Sequence, residues 1–566
     1  MNEQFFQERY PENYPGTIDA DKYHSVIELF DRFVKKFATR PAFVCLGHTL
    51  SYNDLDVLSA RFASYLQHDL GLQPGDRIAI QLPNILQYPI VVFGAMRAGL
   101  IVVNTNPLYT EREMEHQFND SGAKALVVLA NMAEKAEKVL GRTGIKHVVV
   151  TEVADLHPGL KRLLINGVVK YVKKQVPDYH IPTAVSLRQA LAKGSRRPFR
   201  PCPASGNDVA VLQYTGGTTG IAKGAMLTHR NLIANMLQCH GLFVMALDEG
   251  VETVVAPLPL YHIYAFTVHC MVLLETGNCS LLIPNPRDIP GFIKTLQQNP
   301  FSAFVGLNTL FVALCHQDSF RALDFSGLKL TISGGMALTS AAAELWKEVT
   351  GGDIAEGYGM TETSPVVSFN PPGHIQLGSI GMPVSSTLCI TVDDEGNELP
   401  LGEPGELCVK GPQVMKGYWK REAATDESFL PGADGLPARE WLRTGDIAVI
   451  QDDGYMRIVD RKKDMIIVSG FNVYPNEVED VIAAHPEVME VAAIGIPDLK
   501  SSEAVKVFIV AKSELTDADI RHWCKERLTN YKVPKHVEFR TELPKTNVGK
   551  ILRRELRAEE LAKDSE

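Results

Sequence analysis

Short runs of β-branched residues alternate with helical periodicity through much of the chain. The runs predict buried strands at Arg77–Pro83, Ile101–Asn104, Ala125–Leu129, His147–Thr151, Val209–Tyr214, Ser302–Val305 and Leu328–Ile332. Helices are predicted between some of these strands, at Tyr109–Asp120 and Asn131–Leu140. Because strands separated by helices form βαβ units with parallel sheets, the sequence predicts an α/β fold with a large N-terminal body.

The pattern changes after about Asp460. Strands are predicted at Met465–Val468, Val491–Ile496 and Val505–Val510, with helices at Asn476–Ala484 and Asp517–Leu528. We therefore expect two domains, a large one over residues 1–460 and a small, mobile α+β domain over 461–566. The charged run Asp460–Asp464 at their junction is either a hinge or a solvated turn between two strands.

One long apolar segment and the N-terminus bear on whether the chain enters a membrane or is secreted. Ile85–Val103 is interrupted by Gln87, Tyr88, Arg97 and Gly99, and a spanning helix needs about 20 mostly apolar residues. It is therefore predicted to be a buried helix running into a strand. The N-terminus has no basic start followed by an apolar core, so no secretory signal is expected.

Residues 159–177 form a basic amphipathic segment. Its apolar residues recur at helical spacing, at Leu163, Leu164, Val168, Val169 and Val172. The basic residues nearby are Lys161, Arg162, Lys170, Lys173 and Lys174. Such a helix either lies on an anionic membrane surface or packs as a surface helix against its own domain.

Composition narrows the class of protein. A chain of 566 residues with a formal net charge of −10 is expected to form at least two domains and not to bind nucleic acid. The nine cysteines are scattered singly, which indicates neither a disulfide framework nor a zinc ribbon and fits a reducing cytoplasm. No G-x-S-x-G or H-E-x-x-H motif is present, and no G-x-G-x-x-G follows the first strand, so hydrolase and dinucleotide oxidoreductase interpretations lose support.

The strongest local motif is the loop Tyr214–Gly224, which follows a predicted strand and precedes a helix predicted from about Thr228. Its glycines allow backbone N–H groups to turn toward an anion, while its hydroxyls and one lysine add donors and charge. The candidate phosphate-binding residues are Thr215, Gly216, Gly217, Thr218, Thr219, Gly220 and Lys223. The loop is not a Walker A motif, and the alternative is a flexible turn without a ligand.

Three weaker motifs follow. Glu356–Pro365 contains an aromatic ring for a base at Tyr358, a hydroxyl at Thr361, and a carboxylate at Glu362 that could bind Mg²⁺. Asp446, after Trp441, could accept hydrogen bonds from both ribose hydroxyls. Lys550 closes the segment Pro544–Lys550 and could neutralise a carboxylate and a phosphate. Each of the three could instead be an ordinary turn.

In this order and spacing the motifs resemble the adenylate-forming superfamily of acyl-CoA synthetases, adenylation domains and firefly luciferase. The resemblance runs from about residue 24 to 556, and bacterial long-chain fatty-acid–CoA ligases are the most similar group. The segments that carry the closer match are Asn106–Thr110, Leu258–Tyr264, Val459–Ile466 and Val468–Glu477.

The resemblance implies roles for the matched positions. Thr215–Lys223 would be the mobile phosphate loop. Gly357, Tyr358 and Thr361 would frame the adenine and the α-phosphate, with Glu362 on Mg²⁺. Asp446 would hold the ribose, assisted by Arg461, and Lys463 would be the hinge. Lys550 would be the lysine essential for adenylation.

His262 would gate the acyl pocket, although a histidine among aromatic residues is more often a packed core residue. Gly470 and Phe471 would line the channel for CoA.

The implied activity is a two-step ligation of a long-chain fatty acid to CoA. The acid attacks ATP to give acyl-AMP and pyrophosphate, and the CoA thiol then displaces AMP. Two rivals are an acyl-AMP ligase that loads a carrier protein and a catalytically silent acyl-binding protein.

The resemblance further suggests a role in β-oxidation. It also suggests a cytoplasmic enzyme in peripheral contact with the inner face of the cell membrane, and an oligomer is compatible with it. Phe429–Glu440 is longer than usual and predicts an enlarged surface hairpin.

Overall fold

The computed structural model describes residues 3–215, 222–432, 437–469, 471–498, 501–545 and 551–563, with backbone alone at 437–438. In the large body these residues form two mainly parallel sheets and one antiparallel sheet. A smaller fourth sheet lies toward the C-terminus. The predicted α/β class, with a large body and a smaller α+β C-terminal unit, is confirmed.

The first sheet has seven described strands, of which only the last neighbouring pair is antiparallel. Their order across the sheet is Ala184–Ser186, His147–Thr151, Ala123–Leu129, Arg77–Gln81, Ile101–Asn104, Val209–Thr215 and Lys223–Thr228. The strands predicted in this region are confirmed to within about two residues. The edge strand Lys223–Thr228 was not predicted, and it makes the Gly/Thr-rich loop a connection within a hairpin.

The second sheet has nine described strands and is parallel except at its two edges. Their order is Met382–Pro383, Val366–Phe369, Ile354–Gly359, Leu330–Ser333, Ala303–Gly306, Thr253–Ala256, Cys279–Leu282, Pro41–Cys45 and His48–Ser51. Buried side chains of both large sheets join in one apolar core, which includes Val102, Val211, Val254 and Val305.

Helices of the large body cover both sheets. The longer ones are Val26–Lys36, Tyr52–His68, Gln87–Arg97, Glu111–Ser121, Ala133–Leu140, Gly159–Gly167, Leu187–Gly194, His229–Phe243, Ile289–Gln298, Asn308–Cys315 and Ser340–Thr350. Shorter ones are Glu3–Gln7, Ile263–Phe266, Leu273–Thr276, Asp318–Arg321 and Glu422–Glu427. Two wider π-helical stretches are Val168–Val172 and Thr267–Val272, and Ala130–Met132 and Thr361–Thr363 are single 3₁₀ turns.

The segment predicted to be a buried helix running into a strand is confirmed. Every residue of Gln87–Arg97 is buried, as is every residue of the strand Ile101–Asn104 that follows. A helix that is apolar all round belongs in a core. Its one charge, on Arg97, is neutralised by Asp31 and Asp56, at 2.6 and 2.5 Å. Among the described residues no helix is both long and apolar enough to cross a membrane.

The third sheet is antiparallel, and it pairs the strand that contains Asp446 with the strand that contains Arg461. Its strands are Leu388–Val392, Gly405–Lys410, Pro437–Ile450 and Phe429–Pro431, with Met456–Arg461 paired to the long strand. Phe429–Pro431 pairs with Pro437–Ile450, as the expected hairpin requires; residues 433–436 of that hairpin lie outside the described part.

The C-terminal sheet has a separate core around Val473, Val491, Val507 and Ile509. Its strands are Phe471–Val473, Ile466–Val468, Ser502–Ala511 and Val488–Asp498, with His536–Phe539 paired to Ser502–Ala511. Its helices are Pro475–Ala483, Asp517–Lys525 and Arg553–Lys563, with a 3₁₀ turn at Asn530–Lys532.

The chain passes from the third sheet to the C-terminal sheet between Arg461 and Ile466. Asp460 is fully buried there and accepts hydrogen bonds from the backbone N–H groups of Arg461 and Asn476, at 2.6 and 2.7 Å. Arg553 pairs with it at 3.2 Å. Residues 462–464 form a turn between two strands, with Lys463 exposed and Asp464 buried. The charged run is therefore a turn that is only partly solvated, whereas the hinge and the domain boundary at 460/461 stay predictions.

Candidate functional site

A cavity of about 780 Å³ lies where strands of both parallel sheets end. Its wall includes Ser333 and Gly359, each the last residue of a strand, and Leu307, which directly follows one. In sheets of this kind, ligands bind outside the carboxyl ends of the strands. Ten of the sequence-predicted site residues line the cavity: Thr215, Lys223, His262, Gly357, Tyr358, Thr361, Glu362, Asp446, Arg461 and Lys463.

The Gly/Thr-rich loop begins and ends at this cavity. Thr215 ends one strand and Lys223 begins the next, and the two are paired across the hairpin. The ammonium group of Lys223 lies 5.2 Å from the centre of the Tyr418 ring. The helix predicted after the loop is confirmed, because Thr228 caps His229–Phe243. Gly216, Gly217, Thr218, Thr219 and Gly220 lie outside the described residues.

Glu362 lies in the turn that follows strand Ile354–Gly359 and is 7% exposed. The hydroxyl of Tyr418 donates to its Oε1 at 2.6 Å. Burial raises the pKa of the Glu362 carboxyl above its ordinary value, while the Tyr418 hydrogen bond and the charges of Arg461 and Lys223 oppose that rise. These opposing effects favour the ionised carboxylate, which is the form that a metal ion binds.

Asp446 and Arg461 come together because they are cross-strand partners in the antiparallel sheet. Arg461 Nε lies 3.3 Å from Asp446 Oδ1, and the Tyr358 hydroxyl donates to Asp446 Oδ2 at 2.5 Å. Gly445 lies within strand Pro437–Ile450, at an irregularity in its pairing just before Asp446, and has a φ of 72°, which favours glycine. A hydrogen bond and an ion pair thus join the three side chains in one polar group, although Tyr358 precedes Asp446 by 88 positions.

Two glycines and a histidine complete the wall near these groups. A side chain on Gly357 would approach the ring of Phe369 within 2.7 Å, and one on Gly359 would strike the Pro365 carbonyl oxygen. Close packing therefore requires glycine at both positions. His262 caps the short helix Ile263–Phe266, with its Nδ1 accepting from the Tyr264 N–H at 3.3 Å. It lies at the cavity wall, half-buried, rather than deep in the core.

The cavity has an apolar arm that the motifs did not identify. Cys239, Leu242 and Phe243 line it from one face of helix His229–Phe243. Other apolar residues at the cavity wall are Leu258, Pro259, Val268, Leu307, Ile332, Met336, Val366 and Phe369. Helical spacing was the available signal, but it could not separate a cavity wall from an ordinary core face because both are apolar.

Sequence reasoning also missed polar residues of the wall. Tyr418, the partner of Glu362, stands in no recognised motif. Arg443 and Lys462 approach Glu406 at 2.5 and 3.3 Å. Although burial opposes it, these two cations hold the pKa of the Glu406 carboxyl below its ordinary value. All three residues line the cavity, as does Asp446.

The remaining predicted residues lie apart from the cavity or outside the described chain. Phe471 is 55% exposed and stacks on Tyr531, with ring centres 4.8 Å apart. Gly470 and Lys550 lie outside the described residues. The described residues on either side, Lys545 and Ile551, form an antiparallel bridge.

A metal ion at this site would need ligands from its substrate. Within the described ranges no group of three or more His, Cys, Asp or Glu side chains could hold a metal ion. Mg²⁺ commonly uses one or two carboxylates together with substrate phosphates. The buried Glu362 carboxylate therefore fits Mg²⁺ bound jointly with a nucleotide.

Two family models match the chain. Residues 30–419 match the model of AMP-binding enzymes, and residues 477–550 match the model of the AMP-binding enzyme C-terminal domain. Among curated proteins, a long-chain-fatty-acid–CoA ligase of Escherichia coli O6:H1 is 53% identical over 97% of both chains. A protein of the same name from Bacillus subtilis is 37% identical over 93% of this chain and 92% of that one.

Solved structures agree with these matches. The anthranilate CoA ligase AuaEII in complex with anthranoyl-AMP superposes with a TM-score of 0.83 at 26% identity, covering 96% of this chain and 98% of that one. ATP-bound MatB from Rhodopseudomonas palustris superposes with a TM-score of 0.80 at 28% identity, covering 94% and 98%.

Proposed function

We propose, because the chain belongs to the family of AMP-binding enzymes, that it is a long-chain fatty acid–CoA ligase. The observation that carries the proposal is one cavity that joins a hydrogen-bonded polar group to an apolar arm. The full-length similarity to proteins named long-chain-fatty-acid–CoA ligase supports the substrate class. The polar end would hold ATP, and the apolar arm would hold the acyl chain.

At the polar end we assign the nucleotide to residues that line the cavity and to the loop between Thr215 and Lys223. The Asp446 carboxylate would accept hydrogen bonds from the ribose hydroxyls, held in position by Tyr358 and Arg461. Gly357 and Thr361 would frame the adenine and the α-phosphate. Thr215, Lys223 and the loop between them would bind the β- and γ-phosphates, because backbone N–H groups and a cation suit an anion.

Glu362 would bind Mg²⁺ together with the ATP phosphates. The ion supplies positive charge that stabilises the developing charge of the phosphates. The protein itself would keep the Glu362 carboxyl ionised and oriented. The Tyr418 hydrogen bond and the charges of Arg461 and Lys223 favour the ionised form.

The chemistry then needs no nucleophile from the protein. A carboxylate oxygen of the fatty acid attacks the α-phosphorus, the bond to pyrophosphate breaks, and acyl-AMP forms. The CoA sulfur then bonds to the acyl carbon, the bond to AMP breaks, and the thiol proton leaves to solvent. Lys550 would stabilise charge in the first step, and alignment with electrostatic stabilisation would supply most of the acceleration.

Two further roles concern the acyl arm and the small domain. We assign His262 to the entrance of the acyl arm, since it lies in the wall between Pro259 and Tyr264. We assign the hinge to Lys463, between the third and the C-terminal sheets, and the domain boundary to 460/461. Gly470 and Phe471 would line the CoA channel after the small domain turns, consistent with the position of Phe471 away from the cavity.

The cellular setting is proposed on the resemblance. The enzyme would work in the cytoplasm, feed acyl-CoA to β-oxidation, and contact a membrane peripherally at the inner face of the cell membrane. An oligomer is compatible with these roles. The surface for the membrane contact is argued in the next subsection.

Product analysis by mass spectrometry tests the central proposal. Purified protein with Mg²⁺, ATP and CoA would be given acids from acetate to oleate. Lys550→Ala would be assayed in parallel, with Lys525→Ala, at an exposed position that ends helix Asp517–Lys525, as the control. We expect long-chain acyl-CoA and AMP from the wild type and Lys525→Ala, and neither from Lys550→Ala. Accumulation of acyl-AMP alone would favour transfer to a carrier protein. Absence of AMP with every acid would favour a silent acyl-binding protein.

A further inference from the structure

The basic amphipathic segment has an unusual orientation. Gly159–Gly167 is helical and continues as a π-helical stretch over Val168–Val172, and neither contains a buried residue. Six large apolar side chains of this segment are between 43 and 73% exposed: Leu160, Leu163, Leu164, Val168, Tyr171 and Val172. We call these six residues the exposed face. They recur at helical spacing, so they lie along one side of the segment.

The large body holds this segment through polar contacts. Asn166 accepts a hydrogen bond from the Ala154 N–H at 2.9 Å and donates to Glu152 Oε2 at 3.0 Å. The ammonium group of Lys161 donates to the Gly47 carbonyl at 2.9 Å. An ordinary surface helix turns its apolar stripe inward and its polar residues outward. Here Ile165 and Val169 are half-buried, while all six residues of the exposed face are open to solvent. Packing against its own domain therefore does not explain the exposed face.

The concentration of exposed apolar side chains is local. Eighteen large hydrophobic side chains are exposed in the described part of the chain, and six of them belong to this face. Exposed apolar residues scattered singly need no explanation, but a contiguous patch marks a surface that binds something.

Charge indicates the kind of partner. Lys170, Lys173 and Lys174 are exposed beside the face, and residues 159–177 contain no Asp or Glu. This cluster is positively charged, although the whole chain has a formal net charge of −10. A second copy of the same face would bring like charges together, which disfavours a dimer formed by it.

We propose that the exposed face docks on an anionic phospholipid membrane. The inference rests on the peripheral contact proposed above and specifies its surface and its lipid. The apolar side chains enter the boundary between headgroups and acyl chains, while Lys170, Lys173 and Lys174 approach the lipid phosphates. Since long-chain acids partition into bilayers, docking places the enzyme beside its substrate.

Vesicle flotation of the full-length protein tests the docking. The vesicles would contain phosphatidylcholine alone, or phosphatidylcholine and phosphatidylglycerol in equal parts. One variant combines Leu163→Gln, Leu164→Gln and Tyr171→Gln, and a second combines Lys170→Gln, Lys173→Gln and Lys174→Gln. Matched controls are Met489→Gln with Leu561→Gln, which are 58% and 61% exposed elsewhere, and the exposed lysines Lys35→Gln, Lys294→Gln and Lys525→Gln.

We expect the wild type and both controls to bind the anionic vesicles, and each face variant to bind about tenfold more weakly. Added salt should weaken binding of the wild type, because the lysine contribution is screened. Equal binding by the wild type and both face variants would overturn the proposal. So would no binding by the wild type. A wild-type dimer that the Leu163/Leu164/Tyr171 variant disrupts, without vesicle binding, would assign the face to self-association instead.

Product formation separates this inference from the proposed function. Palmitate would be supplied either within the anionic vesicles or on albumin. We expect the face variants to form palmitoyl-CoA more slowly than the wild type from vesicles, and at the same rate from albumin. Equal rates from both sources would count against the docking role while leaving the ligase intact. No palmitoyl-CoA from either source, even with wild-type protein, would contradict the ligase proposal itself.

Discussion

At the polar end of the cavity, the hydroxyls of Tyr358 and Tyr418 each donate to a carboxylate, Asp446 and Glu362 respectively. The apolar arm is lined instead by side chains such as Cys239, Leu242 and Phe243 from one helix face. Directional contacts fix the position of a ligand, whereas apolar contacts depend on volume. Substitutions at the polar end should therefore affect every acid, and those in the arm should discriminate by chain length.

The largest effect is expected for Glu362→Gln. The amide keeps the size of the side chain and an acceptor for Tyr418 but removes the charge that would hold Mg²⁺. We expect kcat/KM to fall by about 100-fold for every acid length. Thermal unfolding should be unchanged or later than in the wild type, since burial already opposes ionisation of this carboxyl. Stopped-flow or pyrophosphate-release assays on several acids measure the fall.

Glu344→Gln, at an exposed position on helix Ser340–Thr350, serves as the control for Glu362→Gln. If kcat/KM of Glu362→Gln fell only for long acids, the result would contradict the assignment of Glu362 to the polar end of the cavity.

Cys239→Trp should divide substrates by length. The indole ring of tryptophan is much larger than the cysteine thiol and would fill part of the apolar arm. Overpacking of a buried site costs about 1–3 kcal/mol. We expect kcat/KM for palmitate to fall by about tenfold or more, with octanoate much less affected. Cys239→Ala, which adds no volume, should retain both activities. Equal losses for the two acids would show that Cys239 does not border the acyl chain.

Asp446→Asn should weaken nucleotide binding specifically. One carboxylate oxygen is replaced by an amide donor, so one hydrogen bond to the ribose is lost while Tyr358 can still donate to the remaining oxygen. We expect the KM for ATP to rise about tenfold, with the KM for palmitate unchanged. Initial-rate measurements with each substrate varied in turn check this. A rise in the KM for palmitate alone would place the acid, rather than ATP, beside Asp446.

The smallest expected effect is a shift in pH dependence. Activity requires ionised Glu362, so it is lost as pH falls through the pKa of that carboxyl, which burial raises above the ordinary value of about 4.3. Tyr418→Phe removes a hydrogen bond that lowers this pKa. The acid limb of the kcat/KM profile should therefore move to higher pH in Tyr418→Phe and disappear in Glu362→Gln. An unmoved limb in Tyr418→Phe would assign the titration to another group.

Much of the fold was predictable because its signals are local. The strands Ile101–Asn104 and His147–Thr151 were predicted to the residue, and both are short β-branched runs. Strand Lys223–Thr228 was missed, since its pairing with Val209–Thr215 is what makes it a strand. Its own sequence, with glycine and mixed polar residues, does not carry a strong strand pattern.

The residues of the site likewise divide into those that a local motif identified and those that it did not. The motifs identified Asp446, Glu362 and Lys223 because charged residues in glycine-containing motifs are recognisable along the chain. Tyr418 was not identified, although its hydroxyl contacts Glu362, because the two residues are 56 positions apart and no motif contains the tyrosine. The apolar arm was not identified because a cavity is a space left between elements, and its lining residues resemble any buried residues.

Two helical segments mark the boundary between sequence and tertiary structure. The sequence by itself determined that Gly159–Gly167 is amphipathic and that His229–Phe243 is rich in apolar positions. Only the tertiary structure decided that Leu163 and Leu164 point to solvent while Leu242 and Phe243 border the cavity. Periodicity depends on the helix alone, whereas burial depends on which distant elements pack against it. That packing is a long-range outcome of the whole fold.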